Sequence, residues 1–210
     1  LMMLSCKPSD PYHKHLKGIE ECVNNASQLT RQLLGLARGG KYEVKATDLN
    51  ELLTTTLGIF GRTKKEIRNF TDYEDEIRPV NVDRGQISQV FLNLFVNAWQ
   101  AMPQGGDLYI KTENMDLTAK HMEILHLQPG RYVRVSVTDT GLGMDKSTQE
   151  RIFEPFFTTK EKSRGTGLGL ASAYGIIKNH NGLITVYSEK GKGSTFHLYL
   201  PASDEAVART

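Results

Sequence analysis

Three blocks between residues 137 and 180 indicate how the chain folds: V-T-D-T-G-L-G-M at 137–144, F-E-P-F-F-T-T-K at 153–160 and R-G-T-G-L-G-L at 164–170. Two glycine clusters therefore flank a segment rich in phenylalanine and threonine. A fourth block, Q-V-F-L-N-L-F-V-N-A at 89–98, precedes them. This order predicts a pocket formed by loops and helix ends, with residues 154–164 as a lid.

The second glycine cluster, at 165–169, stands directly before an apolar run at helical spacing. Glycines at a helix start let a ligand approach the backbone closely and leave N–H groups unpaired, and the helix dipole attracts an anion. The pattern therefore favours phosphate. Alternating glycines also form ordinary turns, so that alternative stays open, and the GxGxG spacing is not the dinucleotide-fold fingerprint.

The first glycine cluster follows a segment, 131–138, in which polar residues alternate with valines as in a half-buried strand. That strand would end at Asp139, whose carboxylate can accept a hydrogen bond from the adenine amino group and would repel the carbonyl oxygen of guanine. We expect Gly141 and Gly143 to leave room for a flat base. The alternative for Asp-Thr-Gly is half of an aspartic-protease dyad, which needs a second copy and leaves the other blocks unexplained.

Asn93 and Asn97 lie four residues apart and hence on one face of a predicted helix. An amide oxygen suits Mg²⁺, which keeps water and phosphate oxygens as its other ligands. An isolated pair of this spacing could equally be a surface or capping pair. The buried side of the helix is expected to carry Val90, Phe91, Leu94, Ala98, Ala101 and Met102.

Together and in this order, the blocks resemble the ATP-binding catalytic domain of sensor histidine kinases, in the superfamily shared with DNA gyrase, Hsp90 and MutL. The resemblance covers residues 47–201, including G-x-G-S-T-F-x-L-x-L-P at 191–201. It implies an α+β fold, a two-layer α/β sandwich with a mixed sheet, preceded by a helical dimerisation segment. It also implies ATP and Mg²⁺ as cofactors, a response regulator receiver domain as partner, and a homodimer through the helical hairpin.

The resemblance assigns a role to each block: Asn97 would hold Mg²⁺, Asp139 would bind adenine, and the cluster at 165–169 would bind phosphates. Lys160 and Arg164 would balance phosphate charge, whereas Gln100 replaces a basic residue that many kinases have. The expected ATP-binding residues are Asn93, Asn97, Asp139, Gly141, Gly143, Lys160, Arg164, Gly165, Thr166, Gly167, Leu168 and Gly169.

Hydrolases of the superfamily carry a glutamate general base where this chain has Asn93. An asparagine cannot take a proton, so hydrolysis by that route is disfavoured. Direct transfer of the γ-phosphoryl group, which depends on positioning and charge neutralisation, is favoured instead.

The phospho-acceptor histidine of the family lies mid-way along the first hairpin helix, before an acidic residue. The histidines of this chain lack that context: His13 and His15 in a turn region, His121 and His126 in an insertion, His197 on a strand, and His180 at a helix end. At that last position, before Asn181-Gly182, a cation is favoured and glycine caps. No catalytic residue is identified, and we expect the chain, which begins at Leu1, to be a fragment starting after the acceptor.

Three regions are predicted: 1–40, a partial dimerisation hairpin, mostly its second helix; 41–201, the ATP-binding domain; and 202–210, a flexible tail. The hairpin helix shows apolar residues at alternating three- and four-residue spacing, typical of a helix-bundle seam. An amphipathic helix packed on its own domain is the alternative. The seam residues are Leu16, Ile19, Val23, Ala26, Thr30, Leu33 and Ala37.

Periodicity and capping signals predict the secondary structure of the ATP-binding region. Asp48 would cap the first helix and Asp83 the asparagine helix. The expected helices are 49–60, the asparagine helix after residue 83, 118–125 and 145–153, and the expected strands are 66–72, 75–80, 107–113, 131–138, 183–188 and 195–200.

The overall composition excludes several partners. The chain has 210 residues and a net charge of +2, so no broad electrostatic case exists for nucleic acid or anionic membrane. No apolar run or signal peptide indicates membrane contact by this fragment. Cys6 and Cys22 form no motif and fit a reducing cytoplasm. A nucleotide-binding regulatory module without transfer and a related protein-serine kinase remain the alternative functions, and anchoring of the full protein stays open.

Overall fold

The computed structural model describes residues 16, 43–64, 66–118, 127–160 and 165–207. The chain divides into two compact units, the first comprising residues 1–41 and 160–166 and the second 42–159 and 167–210. Of the first unit, the described residues are Leu16, Lys160, Gly165 and Thr166. The predicted hairpin, apart from Leu16, lies outside the described residues, and so does nearly all of the predicted helix at 118–125.

All the helices and strands described below belong to the second unit. The strands are β1 (Val44–Thr47), β2 (Ile67–Asp72), β3 (Val80–Asp83), β4 (Gly106–Leu117), β5 (Gly130–Asp139), β6 (Leu183–Glu189) and β7 (Gly193–Pro201). The helices are α1 (Leu49–Thr63), α2 (Arg84–Ala101), α3 (Lys146–Arg151) and α4 (Gly169–Asn179).

The main sheet has five strands in the order β2-β4-β5-β7-β6. Strand β2 runs parallel to β4, while the β4–β5, β5–β7 and β6–β7 pairs are antiparallel. Strands β1 and β3 form a separate antiparallel pair. The sheet is therefore mixed, as expected.

Helices α1, α2 and α4 pack on one face of this sheet and form the core with it, whereas α3 has no buried residue. Phe91, Phe95 and Ile177 from the helices and Val135 and Leu198 from the sheet belong to one buried cluster. The opposite face carries a row of side chains aligned by strand register, with exposed aromatic residues at both ends: Phe70, Tyr109, Thr138, Thr195 and Tyr187. The predicted two-layer α/β sandwich with a mixed sheet is confirmed.

Asp48 and Asp83 are the N-cap residues of α1 and α2, as predicted. The side chain of Asp48 accepts hydrogen bonds from the backbone N–H groups of Asn50 at 2.7 Å and Glu51 at 3.3 Å. The side chain of Asp83 accepts from the N–H of Gln86 at 2.9 Å. Each cap satisfies N–H groups that have no partner within the helix.

The predicted strand at 75–80 is wrong, because the strand begins at Val80 and continues to Asp83. Instead, side chains of β4 accept hydrogen bonds from the backbone that precedes β3. The N–H of Glu74 donates to Oγ1 of Thr112, and the N–H of Arg78 donates to Oδ1 of Asn114. Pro79 has no N–H for a hydrogen bond between strands. The segment from 73 to 79 therefore forms a loop along the edge of the sheet.

Two further boundaries differ from the predictions. Strand β4 continues to Leu117, beyond the predicted end at 113, because it pairs with β5 along its length up to Gly130. Helix α3 ends at Arg151 and is followed by turns. Strand β1 was not among the predicted strands. The other strands and helices of the second unit lie within about three residues of their predicted positions.

The C-terminal end of α4 is closed by an asparagine, so the expectation that glycine forms this cap is wrong. Asn181 has a positive φ of 56°, and the N–H groups of Asn181 and Gly182 donate to the carbonyls of Lys178 and Ile177. This is a Schellman arrangement with asparagine in the left-handed position. Gly182 serves close packing: a Cβ there would lie 2.6 Å from the carbonyl oxygen of Tyr199.

The described parts of the chain contain no helix with both the length and the apolar character that a membrane span requires.

Replacing Gly182 by alanine is expected to lower the free energy of unfolding by about 1–3 kcal/mol, because the added methyl group collides with backbone. Gly175→Ala is the matched control: a Cβ at this position within α4 meets nothing within 4 Å, so the substitution should stabilise the protein by about 0.5–1 kcal/mol. Urea unfolding of both variants measures the effects. Equal effects of the two substitutions would contradict the packing argument.

Candidate functional site

Helix α2 places its two asparagines on the side that faces α4. Nδ2 of Asn93 donates to the carbonyl oxygen of Gly169 at 2.9 Å. A Cβ at Gly169 would lie 3.9 Å from Nδ2 of Asn97. The structure therefore brings both asparagines together with the first residue of α4.

The buried side of α2 is largely as predicted. Ala101 is only partly buried, and Ile87 and Phe95 join the core. Met102, directly after the helix, is buried as expected. The buried residues of α2 itself are Ile87, Val90, Phe91, Leu94, Phe95 and Ala98.

Asp139 ends β5, as predicted, and its side chain is buried, with 4% exposure. Oδ1 accepts a hydrogen bond from the backbone N–H of Gly141 at 2.8 Å. Burial raises the pKa of this carboxyl group, while the backbone N–H groups of Gly141 and Ser194 act in the opposite direction. The net result is a carboxyl group with raised pKa, held in a fixed orientation by main-chain donors.

The glycines after Asp139 are required by packing within the protein, and the expectation that they also leave room for a base stays a prediction. A Cβ at Gly141 would lie 2.7 Å from the carbonyl oxygen of Ala101, and one at Gly143, where φ is 62°, would lie 2.0 Å from that of Glu189. The N–H of Leu142 also donates to the carbonyl of Ala101 at 3.0 Å. The Asp139 loop is thereby held against the end of α2.

Gly193 and Ser194 complete the environment of Asp139, although the sequence argument gave neither a site role. Gly193 has a φ of 96°, and a Cβ there would lie 1.9 Å from the carbonyl oxygen of Asp139. The signal was present in the G-x-G-S-T-F run at 191–196, but its contact with Asp139 depends on the pairing of β5 with β7.

The second glycine cluster leads into α4 through Gly167 and Leu168. Gly167 has a φ of 66°, and a Cβ there would lie within 2.4–2.7 Å of the backbone of Phe156. Leu168 is the N-cap residue and provides no side-chain cap, so its side chain satisfies none of the first N–H groups of α4. Among the described residues, the three atoms nearest to a Cβ at Gly169 belong to the side chains of Asn93 and Asn97, at 3.8–3.9 Å.

The remaining predicted residues are not placed in this arrangement. Lys160, Gly165 and Thr166 belong to the first compact unit. Arg164 lies outside the described residues. Their roles stay predictions.

The phenylalanines of the predicted lid differ in how they pack. Phe153 packs against Tyr174 in a tilted arrangement with 5.3 Å between ring centroids, and Phe157 packs against the core. Phe156 is 68% exposed, has a φ of 67° and donates its N–H to the carbonyl of Gly167 at 3.0 Å. The left-handed backbone of Phe156 and that of Gly167 therefore contact each other directly.

Residues 82–204 match the family described as histidine kinase-, DNA gyrase B- and HSP90-like ATPase. The chain belongs to this family. The sensor kinase CckA of Brucella abortus (strain 2308) is 40% identical over 203 residues, which are 96% of this chain and 22% of that kinase. The chain thus spans about a fifth of the length of this curated relative.

Solved structures agree with this family. The catalytic domain of the histidine kinase ThkA is 32% identical, with a TM-score of 0.62 over 76% of this chain and 96% of that domain. ThkA in complex with the response regulator protein TrrA is 25% identical, with a TM-score of 0.72 over 95% of this chain and 54% of that one. The fold is that of a sensor histidine kinase ATPase domain.

Replacing Asp139 by asparagine is expected to change stability in a pH-dependent way. Because burial raises the pKa of the carboxyl group above its ordinary value of 3.8, ionisation in the folded protein destabilises it relative to the unfolded chain. As pH rises from 3.8 through the raised folded pKa, wild type should lose stability relative to Asp139→Asn. Urea unfolding at about pH 3 and pH 7 measures the difference, and a pH-independent difference would contradict this.

Proposed function

We propose that the chain is the catalytic region of a sensor histidine kinase that binds Mg-ATP and transfers its γ-phosphoryl group to a histidine of the kinase. The observation that carries this proposal is the buried Asp139 carboxyl group at a strand end, next to the helix that carries Asn93 and Asn97. The family match across residues 82–204 supports it.

The base end of the nucleotide would lie at Asp139. A carboxylate accepts hydrogen bonds only, so it would pair with the adenine amino group and oppose the guanine carbonyl. Gly141 and Gly143 act here by shaping the loop that presents this carboxylate. The backbone bond from Gly141 leaves further acceptor positions on the carboxylate.

The phosphate end would lie at the start of α4. Its first N–H groups are not capped by the Leu168 side chain, and the positive end of the helix dipole points to the same place. Gly165, Thr166, Gly167 and Gly169 would let phosphate oxygens approach the backbone. The cations of Lys160 and Arg164 are proposed to balance the charge.

The donor groups at the site fit a magnesium ion. The amide oxygen of Asn97, with that of Asn93 beside it, is a hard ligand of the kind Mg²⁺ takes. Among the described residues, no group of three His, Cys, Asp or Glu side chains could form a cage around a metal ion. The ion would therefore complete its shell with phosphate oxygens and water, and would supply charge neutralisation there.

Transfer is proposed rather than hydrolysis because Asn93, at the position of the hydrolase base, donates through Nδ2 to Gly169 and cannot take a proton. In the transfer step, a nitrogen of the acceptor imidazole bonds to the γ-phosphorus. The bond from that phosphorus to the bridging oxygen breaks and ADP leaves. The phosphoryl group would then pass to an aspartate of a response regulator.

The partners and location follow from the same proposal. The solved complex of ThkA with TrrA supports a receiver domain as the partner. We propose that residues 1–40 supply the homodimer contact and that this region of the kinase works in the cytoplasm.

Calorimetric titration with ATP, ADP and GTP is expected to show adenine-selective binding that strengthens with Mg²⁺. Asp139→Ala should lower ATP affinity by about tenfold or more, because a buried, oriented acceptor is lost. The control is Asp116→Ala, which should bind as wild type. Asp116 lies on β4, and its exposed carboxylate pairs with Arg78. A folded wild-type protein that binds no adenine nucleotide would overturn the proposed pocket.

Incubation with radiolabelled ATP and an added acceptor-helix domain should place acid-labile, base-stable phosphate on the acceptor, with little free phosphate released. Asn97→Ala should abolish the transfer. Release of phosphate without labelled protein would indicate hydrolysis, and an acid-stable ester would indicate a protein-serine kinase. Binding without either product would leave a nucleotide-binding regulatory module.

A further inference from the structure

His180 is a buried histidine, 5% exposed, directly after the last residue of α4. Its Nε2 lies 3.0 Å from the backbone nitrogen of Asp83 and accepts that N–H. Its Nδ1 lies 2.8 Å from the carbonyl oxygen of Ile176, which can only accept. The two bonds therefore require a neutral ring with the proton on Nδ1. A helix C-terminus favours a charged histidine, but a charged ring would have no acceptor nitrogen for the N–H of Asp83.

The bond to Asp83 joins the end of α4 to the start of α2. Asp83 is the N-cap of α2, and its other carboxylate oxygen accepts the N–H of Glu43. His180 thus contacts a backbone group that is already fixed by a helix cap and by the chain entering β1.

A second bond joins the same two helices at the other end of α4, where Asn93 donates to Gly169 at 2.9 Å. The bonds are 10 positions apart on α2 (93 minus 83) and 11 apart on α4 (180 minus 169). At a rise of about 1.5 Å per residue, these spans are about 15 and 16.5 Å. The matching spans let both bonds form at once with the helices antiparallel, and together they fix how far α4 lies along α2.

We propose that His180 is a positioning residue for phosphate binding: through Asp83 it sets the axial position of α4, and hence the distance of the Gly169 end from Asn93 and Asn97. The inference rests on the proposed function. The adenine end is held separately, because Asp139 lies on β5 and is fixed by Gly141 and Ser194. Loss of the bond to Asp83 should therefore weaken phosphate binding and leave adenine binding intact.

Two substitutions each keep one of the two hydrogen bonds of the His180 ring. His180→Gln keeps an acceptor at the Nε2 end, which faces the N–H of Asp83. His180→Asn keeps a donor at the Nδ1 end, which faces the carbonyl of Ile176, and loses the bond between helices. Both variants are polar and uncharged and each keeps one of the two bonds, so weaker Mg-ADP binding by His180→Asn than by His180→Gln reports on the Asp83 bond.

The test is titration of wild type and both variants with adenosine and with Mg-ADP, after circular dichroism has shown equal folding. We expect His180→Asn to bind Mg-ADP about tenfold more weakly, with adenosine affinity within twofold of wild type, and His180→Gln to bind both ligands within about threefold of wild type. Equal Mg-ADP affinity in all three proteins, or a parallel loss of adenosine binding, would overturn the positioning role while leaving the proposed function intact. Wild type that binds neither ligand would overturn both.

Nitrogen NMR of the wild-type imidazole provides a readout that does not depend on ligand or on variant folding. The expected spectrum shows a protonated Nδ1 and an unprotonated, hydrogen-bonded Nε2 at neutral pH. A ring protonated on Nε2 would contradict the bond to Asp83 and with it the proposal.

Discussion

The structure depends on the close packing of the loop that carries Asp139. Three backbone contacts around this loop leave no space for a side chain, at Gly141 against Ala101, at Gly143 against Glu189, and at Gly193 against Asp139 itself. These contacts bring the end of α2, the end of β5 and the β6–β7 turn together. They also aim backbone N–H groups at a carboxyl group that has been removed from water.

Burial makes that carboxyl group unfavourable for stability, and its neighbours offset only part of the effect. The N–H groups of Gly141 and Ser194 favour the charged form, yet burial remains the larger influence on its pKa. We therefore interpret Asp139 as retained for ligand recognition, which is where perturbed carboxyl groups commonly occur. On the proposed function, α2 and α4 would supply the other half of the site, and they are joined by bonds at Gly169 and His180.

Much of the fold was predictable from the sequence because its local signals agree. Asp48 and Asp83 precede apolar helical periodicity, and the alternation at 131–138 ends at Asp139. The strand at 75–80 was mispredicted because side chains of Thr112 and Asn114, distant in sequence, satisfy that backbone. The cap at Asn181 was missed because glycine follows it immediately, and Gly182 proved to be required by Tyr199.

The site was predictable as a set of residue types but not as a set of contacts. The spacing of Asn93 and Asn97 gives a shared face, whereas the bond to Gly169 depends on how α4 packs on α2. Likewise, the sequence shows that Gly141 and Gly143 are special without showing what they contact. His180 carried only a helix-end signal, since its partner Asp83 lies 97 positions away.

Backbone NMR shift mapping with Mg-ADP tests the central claim most directly, because it reports where on the fold the nucleotide binds. The account predicts the largest shifts at Asp139 and Gly141, at Asn93 and Asn97, and at the start of α4. The aromatic row on the opposite face, including Phe70 and Tyr187, should not move. Shifts concentrated on that row, or none in a folded sample, would contradict the nucleotide site between α2, Asp139 and α4.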